Sequence, residues 1–322
     1  MSWSTDLAAL AAALAPVFLL IALGQLLSRS GLIDQATAVG LAKLLYFVCL
    51  PVQILVVVGG ADVGRDFDPR AVAAATGALV IAGLMAWWLT RRMPPERRGP
   101  LINGSSRPNG AFVGLPVILL AAPAFPADEA ARLPGAYVVL LAIMVPLFNV
   151  GAVLSFSLVR RDRGGWGAAL AEIPRNPIIL GCVCGLVLAM VLPGALAARS
   201  WWGDSLHVLA QASIPLALLV TGAQLDLAAM RADRTVLGWA TMGKLFGQPL
   251  LALALAAALG CDRVALCVVV VLMACPTAMA AVPMARLMGG DAGLMAAVVT
   301  TTTVLAAPVL FAWLTMMRYI LS

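Results

Sequence analysis

The sequence predicts an all-α integral membrane protein with about ten transmembrane helices in two inverted five-helix repeats, in which helices four and nine are broken and cross. Of its 322 residues, 62% are hydrophobic and only 11% are charged, whereas soluble domains carry about 25% charged residues. Apolar runs of about 20 residues, the length that lets a helix cross a bilayer, recur along the whole chain. Closed β-barrels would show short alternating segments instead. The proline pattern of the first half also returns in the second.

The predicted spans follow the apolar runs and their flanking charges. They lie near residues 7–27, 36–59, 70–90, 101–122, 134–158, 173–193, 204–226, 235–259, 263–288 and 292–317. The first run continues apolar to Leu27, so we expect a retained first helix rather than a cleaved signal peptide.

The arginines predict the orientation. Twelve lie in the connectors that follow odd-numbered spans, and six lie on the opposite side. Because arginine-rich connectors stay in the cytoplasm, we expect a multi-pass protein of a bacterial inner or plasma membrane with both termini outside the cytoplasm. The same rule accounts for the net charge of +6, so nucleic acid is not an expected partner and the lipid bilayer is.

An internal repeat divides the chain into residues 1–160 and 161–322. The stretch "LPVQILVVVGGAD" in span two matches "IPLALLVTGAQLD" in span seven, where a proline again precedes an aspartate by eleven residues. Two prolines lie eight residues apart in span four and seven apart in span nine. Five spans per half is an odd number, so the halves are expected in opposite orientations, an arrangement typical of transporters.

Spans four and nine each contain a predicted break. In "SSRPNGAFVGLPV", Pro108 lacks the N–H that a continuing helix needs, and Gly110 lowers the cost of leaving helical geometry. Asn109 suits the first position of a new helix because its side chain can cap backbone N–H groups. Pro276 and Thr277 give the same reading in span nine. Each second half-helix would then point its positive dipole end into the membrane, which favours an anion.

Arg107 adds a full positive charge beside the first break. An arginine inside a span costs at least about 2.5 kcal/mol on insertion scales, so we expect a partner for it. A substrate carboxylate, held by two parallel hydrogen bonds, is one such partner. The alternative is that Arg107 extends to the cytoplasmic face.

Four further polar residues are candidates for the substrate site. Lys244 lies in the middle of a span with Gln248 one turn later, and either contacts substrate or pairs with another helix, for instance through Asp226. Ser106 is a candidate for the cavity wall. Gln53, like Asn149, either lines the cavity or hydrogen-bonds between helices.

These motifs resemble those of the auxin efflux carrier family along essentially the whole chain. "SSRPNGAFVGLPV" is similar to the fourth-span motif of that family, and "ACPTAMAAVPMARLMGGDAGLMAAVV" to its ninth-span motif. The family includes plant auxin carriers and bacterial permeases for malonate or malate. The resemblance implies the fold of the bile-acid/sodium symporters, with elevator-type alternating access. It implies a scaffold of spans one, two, six and seven, and a mobile transport part of spans three to five and eight to ten. It also implies a homodimer formed through the scaffold.

Two departures from related carriers bear on mechanism. The loop between the halves is only about fifteen residues long, so we do not expect regulation through it. Sodium symporters of the shared fold carry an acidic residue near the ninth-span break, whereas this chain has Cys275, Pro276 and Thr277 there. This difference argues against sodium coupling and leaves protons, the membrane potential or uniport.

The leading hypothesis is a secondary transporter for a small organic anion, a mono- or dicarboxylate such as malonate or malate. A carrier for aromatic acids or amphiphiles, a channel and a non-transporting receptor are the alternatives. The motifs H-E-x-x-H and G-x-S-x-G are absent from the sequence, so we do not expect an enzyme. With one histidine and six cysteines, nearly all of them in apolar segments, we expect no metal site and no cofactor.

Overall fold

The computed structural model describes residues 3–60, 66–160, 177–191, 201–231 and 233–321 of the protein. These residues form helices joined by short connectors, and no strand occurs among them. The α-helices are α1 (Trp3–Arg29), α2 (Gln35–Leu44), α3 (Leu50–Gly59), α4 (Pro69–Leu89), α5 (Pro95–Ser106), α6 (Leu115–Ala121), α7 (Ala127–Arg160), α8 (Pro177–Val191), α9 (Trp201–Ala223), α10 (Arg234–Met242), α11 (Gln248–Ala258), α12 (Arg263–Ala274), α13 (Ala281–Leu287) and α14 (Ala292–Leu321).

The apolar runs mark these helices well. Seven helical segments are long and apolar enough to cross a membrane: Ala8–Arg29, Gln35–Gly59, Pro69–Leu89, Ala127–Ser157, Trp201–Ala223, Arg234–Ala258 and Ala292–Ile320. The predicted fourth, sixth and ninth spans correspond to shorter apolar helices, Gly110–Ala124, Pro177–Val191 and Arg263–Ala274. The ten-span count and the inverted repeat therefore stay predictions, while a multi-pass membrane protein is the plain reading.

Two predicted boundaries are wrong. The fourth span was expected to begin at residue 101, but α5 begins at Pro95, which lacks an N–H and fits the first helical position. The fifth was expected at residue 134, but α7 begins at Ala127 with two acidic residues in its first turn. In both cases the helix extends beyond the apolar run because charged residues are compatible with its end.

Three π-helical turns interrupt the helices, and each is followed two residues later by a proline. The turns are Leu45–Cys49, Gly110–Gly114 and Gly243–Gly247, and the prolines are Pro51, Pro116 and Pro249. A proline removes one helical hydrogen bond and crowds the carbonyl four residues earlier, and a wider turn relieves this crowding. The carbonyl freed by Pro249 is that of Leu245, which accepts a hydrogen bond from Nε1 of Trp313 at 2.9 Å.

Two helix pairs cross at unusually short range. A Cβ on Gly24 or Gly222 would overlap the backbone of the partner helix where α1 crosses α9. A Cβ on Gly181 or Gly185 would likewise come too close to α3 where α3 crosses α8. Small residues permit this close approach of helices in lipid. The first pair belongs to spans one and seven and the second to spans two and six, as expected if the two halves are equivalent.

The other helices enclose a central helix, α12. All of its residues from Val264 to Ala274 are buried, and α4, α7, α11 and α14 pack around it. A helix that is apolar on every side suits this position. Since α12 ends at the second break, the break lies at the centre of the bundle.

Candidate functional site

The two breaks cross and are joined through their main chains. Helix α5 ends at Ser106 and the chain resumes helical geometry at Gly110, while α12 ends at Ala274 and α13 begins at Ala281. Pro108 and Thr277 form an isolated antiparallel bridge. The two breaks predicted at Pro108 and Pro276 are therefore present and in direct contact.

Two hydrogen bonds make this bridge. The N–H of Asn109 donates to the carbonyl of Pro276 at 2.7 Å, and the N–H of Ala278 donates to the carbonyl of Arg107 at 3.2 Å. Non-helical backbone survives at such depth only when its polar groups find partners within the protein. Each break supplies the partners of the other.

The predicted capping by Asn109 and Thr277 is wrong. Asn109 precedes the helical turn at Gly110, but its side chain makes no capping hydrogen bond, and instead its carbonyl accepts from the N–H groups of Val113 and Gly114. Helix α13 begins four residues after Thr277, whose backbone N–H is bound by Oγ1 of Thr302. The hydroxyl of Thr277 donates to the carbonyl of Gly104 at 2.6 Å, at the end of α5. The contacts between the breaks determine where these side chains point.

The predicted conformational role of Gly110 also needs correction. Its φ angle is not positive, since among described glycines only Gly31, Gly260 and Gly289 have a positive φ. A Cβ at Gly110 would lie 2.6 Å from Cδ1 of Leu272, so close packing rather than backbone freedom requires the glycine.

Lys244 and Gln248 bind the ends of the two helices that lead into the breaks. The ammonium of Lys244 donates to the carbonyl of Met273 at 2.7 Å and to Oε1 of Gln248 at 2.6 Å. Nε2 of Gln248 donates to the carbonyl of Ser106 at 2.7 Å. These carbonyls belong to the last turns of α12 and α5, where helices leave unpaired acceptors and partial negative charge. Lys244 thus binds the carboxyl end of α12 directly and that of α5 through Gln248, and among the described residues no salt bridge joins it to Asp226.

A cavity of about 120 Å³ opens beside the crossing. Its polar wall consists of Arg107, Asn109 and Asn149, together with the start of the helical turn at Gly110. The backbone N–H groups of residues 110–112 precede the first internal hydrogen bond of that helix. The rest of the wall is mostly apolar and is formed by Tyr46, Phe112, Leu141, Val145, Phe148, Ile178 and Met279, among others.

Arg107 lies inside this cavity. Its Nη2 donates to Oδ1 of Asn149 at 2.8 Å, and its Nη1 lies 3.6 Å from the sulfur of Met284. Among the described residues no carboxylate forms an ion pair with it. This geometry favours the substrate interpretation of Arg107 over extension to the cytoplasmic face.

Asn109 contributes a second hydrogen-bond donor, for which the described residues supply no acceptor. The side chain is only 5% exposed, and its Nδ2 has no hydrogen-bond partner among the residues that the structure describes. A buried amide N–H without an acceptor costs about 1–3 kcal/mol, so a ligand acceptor at this position would relieve the cost. A cationic side chain and an amide with an unpartnered donor therefore line the same small cavity.

The remaining candidates lie elsewhere. Pro276 and Thr277 belong to the crossing but not to the cavity wall, and Lys244 is fully buried behind it. Ser106 and Gln248 face two other grooves, and Gln53 lies buried on α3 without lining any of these cavities. Pro108 and Gly110 do line the cavity.

Sequence reasoning missed the apolar wall. Nothing in the sequence distinguishes Phe148 or Ile178 from the many apolar residues that only pack. Tyr46 lies in the π turn before Pro51, a kind of turn that occurs frequently at functional sites, but the turn is visible only in the structure.

Comparison with known proteins identifies the family of the chain. The family model described as "Membrane transport protein" matches residues 9–146 and 167–314. No curated protein matches the chain. The matched segments include both breaks, Lys244 and most of the cavity wall, while Phe148 and Asn149 lie between the two segments. The chain belongs to this membrane transport protein family, that of the auxin efflux carrier permeases, which its motifs resemble.

Proposed function

We propose that the protein is a secondary transporter for a small organic anion, which binds in the cavity at the crossing of the breaks. The observation that carries this proposal is that Arg107 and Asn109, whose buried Nδ2 has no partner among the described residues, line the same cavity. A carboxylate matches these donors, since charge-assisted hydrogen bonds to a guanidinium are the stronger kind.

The apolar wall points to the form of the substrate. One guanidinium is available to one carboxylate, while the surfaces of Phe112 and Phe148 would contact the rest of the molecule. A monocarboxylate with an apolar or aromatic body fits these walls better than malonate or malate, whose second carboxylate would lack a cation. The dicarboxylates remain the second candidate because of the family resemblance.

We further propose elevator-type alternating access. The supporting observation is that both proposed parts of the protein contribute residues to the cavity wall. Tyr46 and Ile178 come from the proposed scaffold, whereas Arg107, Asn149 and Met279 come from the proposed transport part. A site at the boundary between a tightly crossed scaffold and a second body is one that their relative movement would expose to either side.

Lys244 bears on the coupling ion. It already binds the carboxyl end of α12 directly and that of α5 through Gln248, and no described carboxylate lies with it at the crossing. We therefore propose transport without sodium. Replacing sodium by potassium on both sides of a vesicle should leave the initial rate within about twofold, and a rate that depends on sodium would reject this part of the proposal.

The test of the function is uptake and counterflow in proteoliposomes. Labelled phenylacetate, malonate and malate are compared for the native protein and for Ala280→Leu, which narrows the cavity while leaving every polar group in place. Ala254→Leu on the exposed face of α11 is the matched control. We expect saturable uptake with counterflow that only Ala280→Leu abolishes.

The other outcomes separate the alternatives. Binding without flux would indicate a receptor, and flux that neither saturates nor shows counterflow would indicate a channel. Saturable flux of a neutral amphiphile but of no anion would contradict the role given to Arg107.

A further inference from the structure

An apolar groove on the membrane-facing side of the molecule lies between α4, α5 and α7. It has a volume of about 360 Å³ and is lined along α4 from Thr76 to Trp87. At the helical rise of 1.5 Å per residue this stretch is about 16 Å long, roughly half the thickness of a hydrocarbon core. The groove therefore matches the length of a chain from one leaflet.

Two glycines keep the groove open. Gly83 on α4 and Gly151 on α7 both line it, and a Cβ placed on either would meet no atom within 4 Å. Elsewhere in the bundle glycines permit close contact between helices, as at Gly24 and Gly222. Here the glycines face open space instead. In a membrane such a space is filled by hydrocarbon.

A cation, Arg98, lies next to the groove, beside its lining residue Trp87. The guanidinium carbon of Arg98 is 5.9 Å from the ring centroid of Trp87, which lines the groove. Arg98 forms no ion pair within the described part of the chain, and its buried Nε has no hydrogen-bond partner there. A buried donor of a guanidinium without an acceptor indicates that an acceptor is missing.

We propose that this groove binds one anionic glycerophospholipid, with an acyl chain along Gly83 and Gly151 and the phosphate on Arg98. Charge and shape are complementary along the length of such a molecule: a phosphate meets the guanidinium, and a hydrocarbon chain meets the apolar wall. The tryptophan lies between the two, at the level where amphipathic rings meet lipid headgroups. The site is distinct from the anion cavity, and it does not depend on the proposed transport activity.

The groove also reaches the crossing from outside. Ser106, the last residue of α5, lines its wall, and the carbonyl of the same residue accepts from Gln248 inside the bundle. A bound chain would thus contact the helix that leads into the first break. Removing the lipid should therefore alter the packing of α5 before that of α1 or α9.

Native mass spectrometry of the full chain in mild detergent tests the proposal. The protein is titrated with phosphatidylglycerol and with phosphatidylcholine of identical acyl chains, and the dissociation constant of the first bound lipid is compared. Phosphatidylglycerol should bind about fivefold more tightly, the effect of one arginine near an anionic phosphate. Arg98→Gln should remove this preference.

Matched variants separate the site from general lipid adsorption. Arg91→Gln removes an equal charge from an arginine that lies over Trp88, outside the groove, and should leave the preference intact. Gly83→Leu should weaken binding of both lipids about tenfold by filling the groove, whereas Gly238→Leu, on an exposed face of α10, should not. Gly151→Leu serves in place of Gly83→Leu should that variant fail to fold.

Two results would overturn the proposal. If Arg98→Gln and Arg91→Gln change the preference equally, or neither changes it, Arg98 does not select the anionic lipid. If both leucine variants in the groove bind lipid as the native protein does, the groove is not the site.

Discussion

The two breaks share a backbone arrangement but differ in the chemistry of their side chains. At the first, Arg107 and Asn109 face a cavity, and a buried amide donor has no partner among the described residues. At the second, Cys275 donates to the carbonyl of Val271 and Thr277 to that of Gly104, so both side chains are satisfied within the protein. Both segments need hydrogen-bond partners for their main chains, but their side chains have different surroundings. The first leaves a polar side chain without a partner beside a cavity, and the second uses its side chains for contacts within the bundle.

The largest effect is expected at the residue that serves both breaks. Lys244→Met should lower the free energy of unfolding by about 3 kcal/mol, since it leaves the Met273 carbonyl and the Gln248 amide oxygen buried without a donor. Unfolding in mixed detergent micelles measures this loss. Lys43→Met, at an exposed position, is the control and should change stability little. A variant that keeps its stability but loses substrate affinity would make Lys244 a substrate ligand, as the sequence allowed.

The next effect sharpens the role of the first break. Arg107→Gln should weaken binding of a carboxylate about 30-fold, or about 2 kcal/mol, by removing a charged donor. Arg107→Lys should recover only part of this affinity, because an ammonium cannot form two parallel hydrogen bonds. Isothermal titration with the transported acid gives both numbers. Unchanged affinity in Arg107→Gln would mean that the side chain serves only to hold Asn149.

A matched pair tests the comparison directly. Asn109→Ala should weaken substrate binding about five- to tenfold with little loss of stability, since its Nδ2 has no described partner to lose. Thr277→Val should leave binding nearly unchanged and lower stability by about 1 kcal/mol, because the Gly104 carbonyl loses its donor. Melting temperatures and binding constants of both variants are required. If both variants mainly lower substrate affinity, or both mainly lower stability, the division of roles between the breaks is wrong.

The smallest effect concerns the approach to the first break. Asp233 caps α10, and the hydrogen bond from the Val236 amide, followed by the hydrogen bond from Arg97 on α5, lowers the pKa of its carboxyl below the ordinary value of 3.8. The carboxylate therefore stabilises the fold above the unfolded pKa, and this contribution is lost as the pH falls through the lower folded pKa.

Asp233→Asn should accordingly melt slightly below the native protein at pH 7, and the difference should shrink as the pH approaches 3. Melting curves across this range provide the measurement. A difference that is constant with pH would show that the charge of Asp233 contributes nothing to stability. Asp34, which caps α2 and whose pKa is lowered mainly by its hydrogen bonds with Thr37, offers a second site for the same comparison.

The sequence predicted the breaks because their cause is local. A proline cannot donate a backbone hydrogen bond, which weakens a helix at that residue, and at Pro108 and Pro276 neighbouring polar residues mark the position further. The predicted caps failed because the direction of a side chain depends on what lies opposite. Thr277 meets the carbonyl of Gly104 across 173 residues of chain, and no spacing in the sequence signals that contact.

The same distinction applies to the charged residues. That Lys244 needed a partner followed from its place in an apolar run. That it binds the end of α12 directly and the end of α5 through Gln248 follows only from the crossing, where both helices present their last carbonyls together. The π turns are only partly predictable from the sequence. A proline follows each of them, but Pro16, Pro215 and Pro308 lie inside helices that have no π turn before the proline.

The bridge between the breaks consists of peptide groups alone, with Asn109 and Ala278 as donors. Every amino acid except proline carries that donor, so almost any substitution at these positions leaves the bridge intact. An alanine scan will therefore detect the loss of side-chain contacts, but it will not detect the two main-chain hydrogen bonds that join the crossing segments. Replacing either amide by an ester, through chemical synthesis of the segment, would expose its contribution. If substitutions at these two residues are tolerated, the reason would be that changes of side chain leave the main-chain hydrogen bonds in place, and not that these bonds are unimportant.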